Sequence, residues 1–175
     1  KLETAISDLE VEQKEVQSNL YYIKYKIVGE DGFLTIATTR PETMLGDTAV
    51  AINPNDERYK KFLGKKIIVP IVDRKVNIIT DNYVSIEQGS GALKVTPAHD
   101  FNDFEIGKRH KLEFINIFRK NGKLNHTVPK ELIGADRFEA RNKIVKMLKE
   151  KNLLEKIENI RNAVPYGDRS NSIIE

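Results

Sequence analysis

The stretch LYYIKYKIVGEDGFLTIATT, residues 20–39, sets two apolar runs on either side of Gly-Glu-Asp-Gly. Tyr, Ile, Phe and Thr suit a pleated, half-buried surface, and Gly and Asp tolerate the positive φ of a tight connection. The pattern predicts a β-hairpin. DTAVAIN (47–53), KKIIVPIV (65–72) and VNIITD (76–81) are further short β-branched runs, punctuated by Asn, Pro and Asp. Strands this short, following one another closely, favour a sheet that closes on itself. The expected fold is β-rich α+β, a small closed or nearly closed β-barrel core with peripheral helices.

Three helical segments are expected around that core. NPNDERYKKFLG (53–64) reads as a short surface helix starting at Asn53 or Asn55 and stopped by Gly64. FNDFEIGKRH (101–110) reads as a helical turn or two. ADRFEARNKIVKMLKEK (135–151) has the strongest helical pattern, with Phe138, Ile144, Val145 and Leu148 on one face and Asp136 with Glu139 as a capping pair.

The length, 175 residues, argues for one domain over residues 1–175, at roughly 150 residues per domain. Hydrophobic residues at 39% and charged residues at 31% exclude compositional disorder and a membrane-embedded chain. No apolar run approaches the ~18 residues of a spanning helix, and KLETAISDLE lacks a signal-peptide pattern. With no cysteine, disulfides and thiolate metal sites are excluded, and a cytoplasmic location is expected. The tail VPYGDRSNSIIE ends in mid-pattern, as does the beginning, which suggests a piece excised from a longer chain. Net charge is +3, unevenly spread: residues 1–100 carry 13 Lys+Arg against 15 Asp+Glu, and residues 101–175 carry 16 against 11. A basic second part is what a polyanion would use, although lysine-rich helix faces are also ordinary solvated surface.

KVTPAHDFND (94–103) concentrates Lys94, His99, Asp100 and Asp103. His99 and Asp103, four apart, would share a helix face and could ligate a metal. Against this, His110 and His126 stand in no ligand spacing, and Lys94 adds a competing cation, so no metal is expected. GSG (89–91) has the wrong spacing for a nucleophile elbow and lacks the third glycine of a dinucleotide fingerprint. Gly89 and Gly91 instead imply close approach of the backbone to a strand or a ligand, and Ser90 a tight turn. TTRPETM (38–44) brings hydroxyls, a guanidinium and a carboxylate to a strand's mouth. It suits either a polar ligand pocket or a hydrogen-bonded turn opening a helical turn at Pro41 and Glu42.

Together, TTRPETMLGDTAVAINPNDERY (38–59) and GSGALKVTPAHDFNDFEIGKRH (89–110) resemble the editing domain inserted into class I aminoacyl-tRNA synthetases for branched aliphatic amino acids, most closely the valyl type. The resemblance covers nearly the whole chain. SDLEVE (7–12) and VPYGDRSN (164–171) look like the junctions to the synthetase body. The HIGH and KMSKS signatures of amino-acid activation are absent, so the chain is expected to edit and not to charge tRNA.

The implied function is hydrolytic proofreading: deacylation of Thr-tRNA(Val), and by the same chemistry of threonyl-adenylate, without a cofactor. A valine pocket rejects the near-isosteric threonine only about 10²-fold, a value established for valyl-tRNA synthetase itself, so a second site must read the hydroxyl. The resemblance assigns that reading to Lys94 and Asp100, and pairing with the substrate α-ammonium to Asp103. It makes Lys94, Asp100 and Asp103 the candidate catalytic set. Thr38, Thr39, Thr43 and Thr96 would line the pocket, and Arg40 would face the terminal adenosine or its phosphate. Backbone N–H groups of Gly89, Ser90 and Gly91, with Lys94, would stabilise the oxyanion. His99 is expected to be structural. Gln88 and Ser90 depart from the aromatic residue and threonine usual there, implying a looser or more polar wall. The implied partners are the tRNA(Val) acceptor end, held weakly and salt-sensitively, and the rest of the synthetase; no membrane is involved, and a monomer is the simplest state. The alternatives are a non-catalytic tRNA-binding module, a metal-dependent hydrolase, and the editing domain of an isoleucyl or leucyl enzyme.

Overall fold

The computed structural model describes residues 11–168, 171, 173 and 174. The hairpin forms around the Gly-Glu-Asp-Gly turn. β1 (Val11–Ile27) pairs antiparallel with β2 (Phe33–Thr38), Tyr21 facing Thr38 and Lys26 facing Phe33. Ile27 N–H closes the turn on Gly32 C=O at 2.9 Å, and Gly29 takes φ +80°. Residues Ile23, Tyr25 and Ile27 point inward between half-buried Lys24 and exposed Lys26, the period of two that a sheet with one buried face requires.

Each predicted apolar run is a strand. β3 (Ala49–Ile52), β4 (Lys66–Val69) and β5 (Arg74–Thr80) are joined by β6 (Ala92–Val95). The strand order is β2-β1-β4-β5-β3-β6. β3 runs parallel to β5 and antiparallel to β6. β6 comes to lie beside β2, so the sheet curls into a nearly closed barrel. Its interior holds Ile23, Tyr25, Ile36, Val50, Ile67 and their neighbours.

Helix α1 (Phe101–Arg109) covers the outer face of β3 and β6, where Ala49, Ala51, Val95 and Ile106 form a second small core. Helix α2 (Arg137–Glu150) adds Ala140, Ile144 and Leu148 to the main core, and burying a side chain of the size of Ile144 or Leu148 stabilises by ~1.5–3 kcal/mol. Phe138, expected on that buried face, is 40% exposed. It sits in the first turn, where Arg137 and Arg141 stack on its ring. Asp136 caps α2 by accepting from Phe138 N–H at 3.0 Å.

Residues 53–64 correct the expectation of a surface helix. They form turns and one 3-10 turn at Lys60–Phe62. Asn53 Oδ1 accepts from Asn55 N–H, and Asp56 Oδ1 from Arg58 N–H. These side chains bind the backbone locally in competition with the helix. Gly64, at φ +76°, does end the segment.

β7 (Leu154–Gly167) pairs with β1 from Val11 to Ile23 as a long antiparallel ribbon extending from the barrel. Sequence patterning did not indicate it, because a two-stranded ribbon largely exposed on both faces has little apolar alternation. Of the segments read as junctions, residues 7–10, 169 and 170 lie outside the described residues. No helix among the described residues is long and apolar enough to cross a membrane.

Candidate active site

The end of β2, β6 and the N-terminus of α1 meet around a cavity of about 160 Å³. Thr38, Thr39, Arg40 and Thr43 line it from the β2 side, Lys94 from β6, and Asp100 and Asp103 from α1. The two polar stretches, more than fifty residues apart, thus share one wall. A larger groove of about 1100 Å³ runs between the β1–β7 ribbon and the start of α1, and Thr39, Arg40 and Asp100 border both.

After Thr38 the chain enters a 3-10 turn (Pro41–Gly46), with Pro41 at its first position. Thr43 Oγ1 donates to Arg40 C=O at 2.9 Å, and Thr38 Oγ1 accepts from Arg40 N–H at 3.1 Å. The segment is therefore both a hydrogen-bonded turn and a pocket wall. Below it Glu42, fully buried, takes a bidentate pair from Arg141 of α2 at 2.6 and 2.8 Å. The Arg40 guanidinium donates to His99 C=O at 2.9 Å.

Asp100 is the N-cap of α1: its Oδ1 accepts from Asn102 and Asp103 N–H at 2.9 and 3.1 Å. The cap sets Asp103 on the cavity side of the first turn. Asp103 Oδ2 accepts from Thr96 N–H at 2.8 Å, and Oδ1 makes no hydrogen bond with the described residues. Burial chiefly, with Asp100 and Asp47 adding, pushes the Asp103 carboxyl up to about 6, against the opposing pull of Lys94 and the Thr96 N–H.

Lys94 is 7% exposed. Its ammonium donates to Thr96 Oγ1 at 2.6 Å, and Thr96 Oγ1 donates on to Asp47 Oδ1 at 2.6 Å. Thr96, expected to touch substrate, is thereby turned inward as a link between Lys94 and Asp47 and does not line the cavity. Gly89, Ser90 and Gly91 also stand beside the cavity and not in it. A Cβ at Gly89 would meet Ala37 Cβ at 2.9 Å, so this glycine serves approach to β2. Gly91 N–H is taken by Gln88 C=O, and Ser90 Oγ accepts from Ala92 N–H. Exposed Gln88 contributes nothing to the wall.

His99 Nε2 accepts from Ile117 N–H at 3.0 Å, and the ring is hydrogen-bonded to the Ile115 backbone as well. Burial first, then Arg40 and Lys94, hold it down at about 4. A neutral imidazole tied to two backbone groups braces the 115–117 segment. It is not turned toward Asp103, and among the described residues no cluster of three or more His, Asp or Glu suits a metal.

This geometry coincides with a family assignment. The family model described as the leucyl-tRNA synthetase editing domain matches residues 56–161, which include Lys94, Asp100 and Asp103. The chain belongs to the aminoacyl-tRNA synthetase editing-domain family. Relatives named valine–tRNA ligase match it throughout. That of Pelagibacter ubique (strain HTCC1062) is 64% identical over 174 residues, 99% of this chain and 20% of the relative. That of Coxiella burnetii (strain RSA 493 / Nine Mile phase I) is 54% identical over 175 residues, 100% of this chain and 19% of the relative. The editing domain therefore spans about one fifth of the relatives it matches. A LeuRS of Agrobacterium radiobacter K84 (agnB2), solved as a ternary complex with tRNA and LeuAMS, shares the fold at TM-score 0.63 and 17% identity, over 89% of this chain and 21% of that one.

Tyr83 and Asp47, both at the candidate site, escaped sequence reasoning. Tyr83 lines the cavity, and its loop is pinned by Asp81, whose carboxylate takes Arg109 and His110 at 2.9 Å each. Asp47 lies behind Lys94. It follows TTRPETMLG directly, and a lone acidic residue entering an apolar strand was the available signal.

Proposed function

We propose that this domain hydrolyses the threonyl ester of mischarged tRNA(Val), as the proofreading unit (residues 1–175) of a longer, cytoplasmic valine–tRNA ligase. The observation that carries this reading is the small cavity in which Lys94, Asp100, Asp103 and three threonines converge. Relatives named valine–tRNA ligase support the choice of substrate.

In this reading the Asp103 oxygen left unbonded, Oδ1, pairs with the substrate α-ammonium, and the carboxyl is ionised at neutral pH because it titrates at about 6. Lys94 keeps N–H donors beyond the one given to Thr96. With the Asp100 oxygen not used by the cap, they meet the threonine hydroxyl. Valine would leave the buried Lys94 donors desolvated and unpaired, which costs ~1–3 kcal/mol and reverses the preference of a valine-shaped pocket. Water attacks the ester carbonyl, the leaving 3′-terminal oxygen of tRNA takes a proton, and free threonine departs. Asp100 orients the attacking water. Of the Gly89–Gly91 amides, expected as oxyanion donors, that of Gly91 is taken by Gln88 C=O and none of the three residues lines the cavity, so Lys94 carries this role. The larger groove, bordered by Arg40 and by exposed Phe101, is the approach for the tRNA end.

Deacylation of Thr-tRNA(Val) beside Val-tRNA(Val), with an Asp103→Ala control, tests the reading. Selective loss of the threonyl ester, abolished in the variant, is the expected result. Equal binding by wild type and variant without hydrolysis would establish a binding module instead. Binding of a non-hydrolysable 3′-threonylamino-adenosine, which does not depend on delivery of the acceptor end by the synthetase body, is measured in parallel; failure to prefer it over the valyl analogue overturns the assignment.

A further inference from the structure

Asp47 is fully buried, at 0% exposure, and does not reach the cavity. Such a group is expensive to keep, since a carboxylate without partners in an apolar interior costs several kcal/mol. Here every part of it is committed. Oδ2 accepts from the Tyr25 phenol at 2.7 Å, Oδ1 accepts from Thr96 Oγ1 at 2.6 Å, and the backbone carbonyl accepts from Arg74 at 3.0 Å. Oδ1 also lies 3.6 Å from the Lys94 ammonium.

Three carboxylates compete for that ammonium. Asp47 stands behind it, at the entry to β3, while Asp103 and Asp100 stand across the cavity on α1. Only Asp47 lies within ion-pair distance among the described residues. The reason is geometric: Thr96, two residues along β6 from Lys94, points to the same side of the strand and hands the lysine to Asp47 through its hydroxyl. Asp103 receives the Thr96 backbone N–H in place of the lysine. Were Lys94 to turn forward, it would neutralise the carboxylate that the substrate's own ammonium must meet.

We infer that Asp47 is a positioning residue of the hydrolytic site: through Thr96 it holds the Lys94 ammonium back from Asp103, which leaves Asp103 Oδ1 open to the substrate cation. This rests on the reading of the cavity given above. The groups facing Lys94 and Asp103 are Asp47 and Thr96 from the barrel, Tyr83 from the loop after β5, Arg40 from the loop after β2, and His99 and Asp100 at the start of α1, while Tyr25 and Arg74 face Asp47.

The test is Asp47→Asn, read by the ¹³C titration of the Asp103 carboxyl and by kinetics on Thr-tRNA(Val). Released from its anchor, Lys94 pairs with Asp103. The Asp103 midpoint then falls from about 6 by one unit or more, and KM rises at least tenfold with a smaller change in kcat. In a Lys94→Met background the same substitution produces a much smaller shift, because the lysine that carries the effect is gone. A merely structural Asp47 would change melting temperature alike in both backgrounds and lower the Asp103 midpoint equally in both, by no more than the loss of its own charge, and that result overturns the inference. If Asp47→Asn does not fold, Tyr25→Phe loosens the same anchor, and an unchanged midpoint there overturns it equally. Absence of threonyl-ester hydrolysis in the wild type counts against the proposed function, while the titration still decides the role of Asp47.

Discussion

Asp103 Oδ2 accepts the backbone N–H of Thr96 at 2.8 Å, and this bond ties α1 to the end of β6 at the floor of the cavity. It satisfies one oxygen of a carboxyl whose burial holds it up at about 6. If the ionised form binds substrate, kcat/KM for the threonyl ester rises with pH through about 6 and levels off above 7. Asp103→Asn removes this limb and lowers kcat/KM by about 10²-fold or more, ~2.7 kcal/mol. A pH–rate profile from pH 5 to 8 for both proteins checks this. An acid limb surviving in the variant would assign it to another group.

His99 and Asp103 act on stability in opposite senses over one pH window. His99 titrates at about 4 folded against 6.5 ordinarily, so between these values the unfolded chain binds more protons and stability rises with pH. Asp103 titrates at about 6 against 3.8, so the folded state binds more protons and stability falls as pH rises. Asp103→Asn removes that opposition, while buried Asp47, also held above its ordinary value, is unchanged. Its melting temperature climbs more steeply than that of the wild type from pH 4 to 6.5, measured by thermal unfolding at half-unit steps.

Glu42 is fully buried beneath the loop that carries Thr38 to Thr43, and Arg141 grips it from α2 with two hydrogen bonds. Arg141→Ala leaves the carboxylate with Arg40, 4.0 Å away, in place of its bidentate partner, and is expected to cost ~3–5 kcal/mol. Glu42→Gln combined with Arg141→Met costs less than Arg141→Ala alone, because no under-paired carboxylate is left buried. Denaturant unfolding of the three variants measures the difference.

Gly107 lies where α1 crosses the segment between Lys94 and Asp100, and a Cβ there would sit 2.7 and 2.8 Å from two carbons of the Pro97 ring. A fixed proline ring at that distance cannot swing aside. Gly107→Ala therefore pushes α1 away from β6, at ~1–3 kcal/mol, and lengthens the Thr96–Asp103 bond. Melting temperature and KM for the threonyl ester should both worsen, whereas Gly122→Ala, with open space at its Cβ, affects only stability.

Local chemistry was readable wherever neighbours in sequence are also neighbours in space. The hairpin around Gly29, the runs that become β3, β4 and β5, the two helices and the cap at Asp136 follow from propensity, alternation and side-chain reach. The expected helix at 53–64 failed because short Asn and Asp side chains bind their own backbone in competition with the helical ladder. The strand β7 went unseen because its partner is residues 11–23, and a largely exposed ribbon needs no apolar face to mark it.

By itself the sequence determined the class of fold, the family, and the two polar stretches that hold the candidate site. Only the tertiary structure decided how those residues divide the work. Lys94 could have served Asp47, Asp100 or Asp103, and no spacing along the chain chooses among three carboxylates. The curl of the sheet places Asp47 behind β6 and Asp103 in front of it, and Thr96, facing inward, passes the charge to the first and its amide to the second. Hydrogen bonds and close ion pairs form only when groups come within about 3–4 Å, so they are settled by how strands register and close, which no local pattern of residues records.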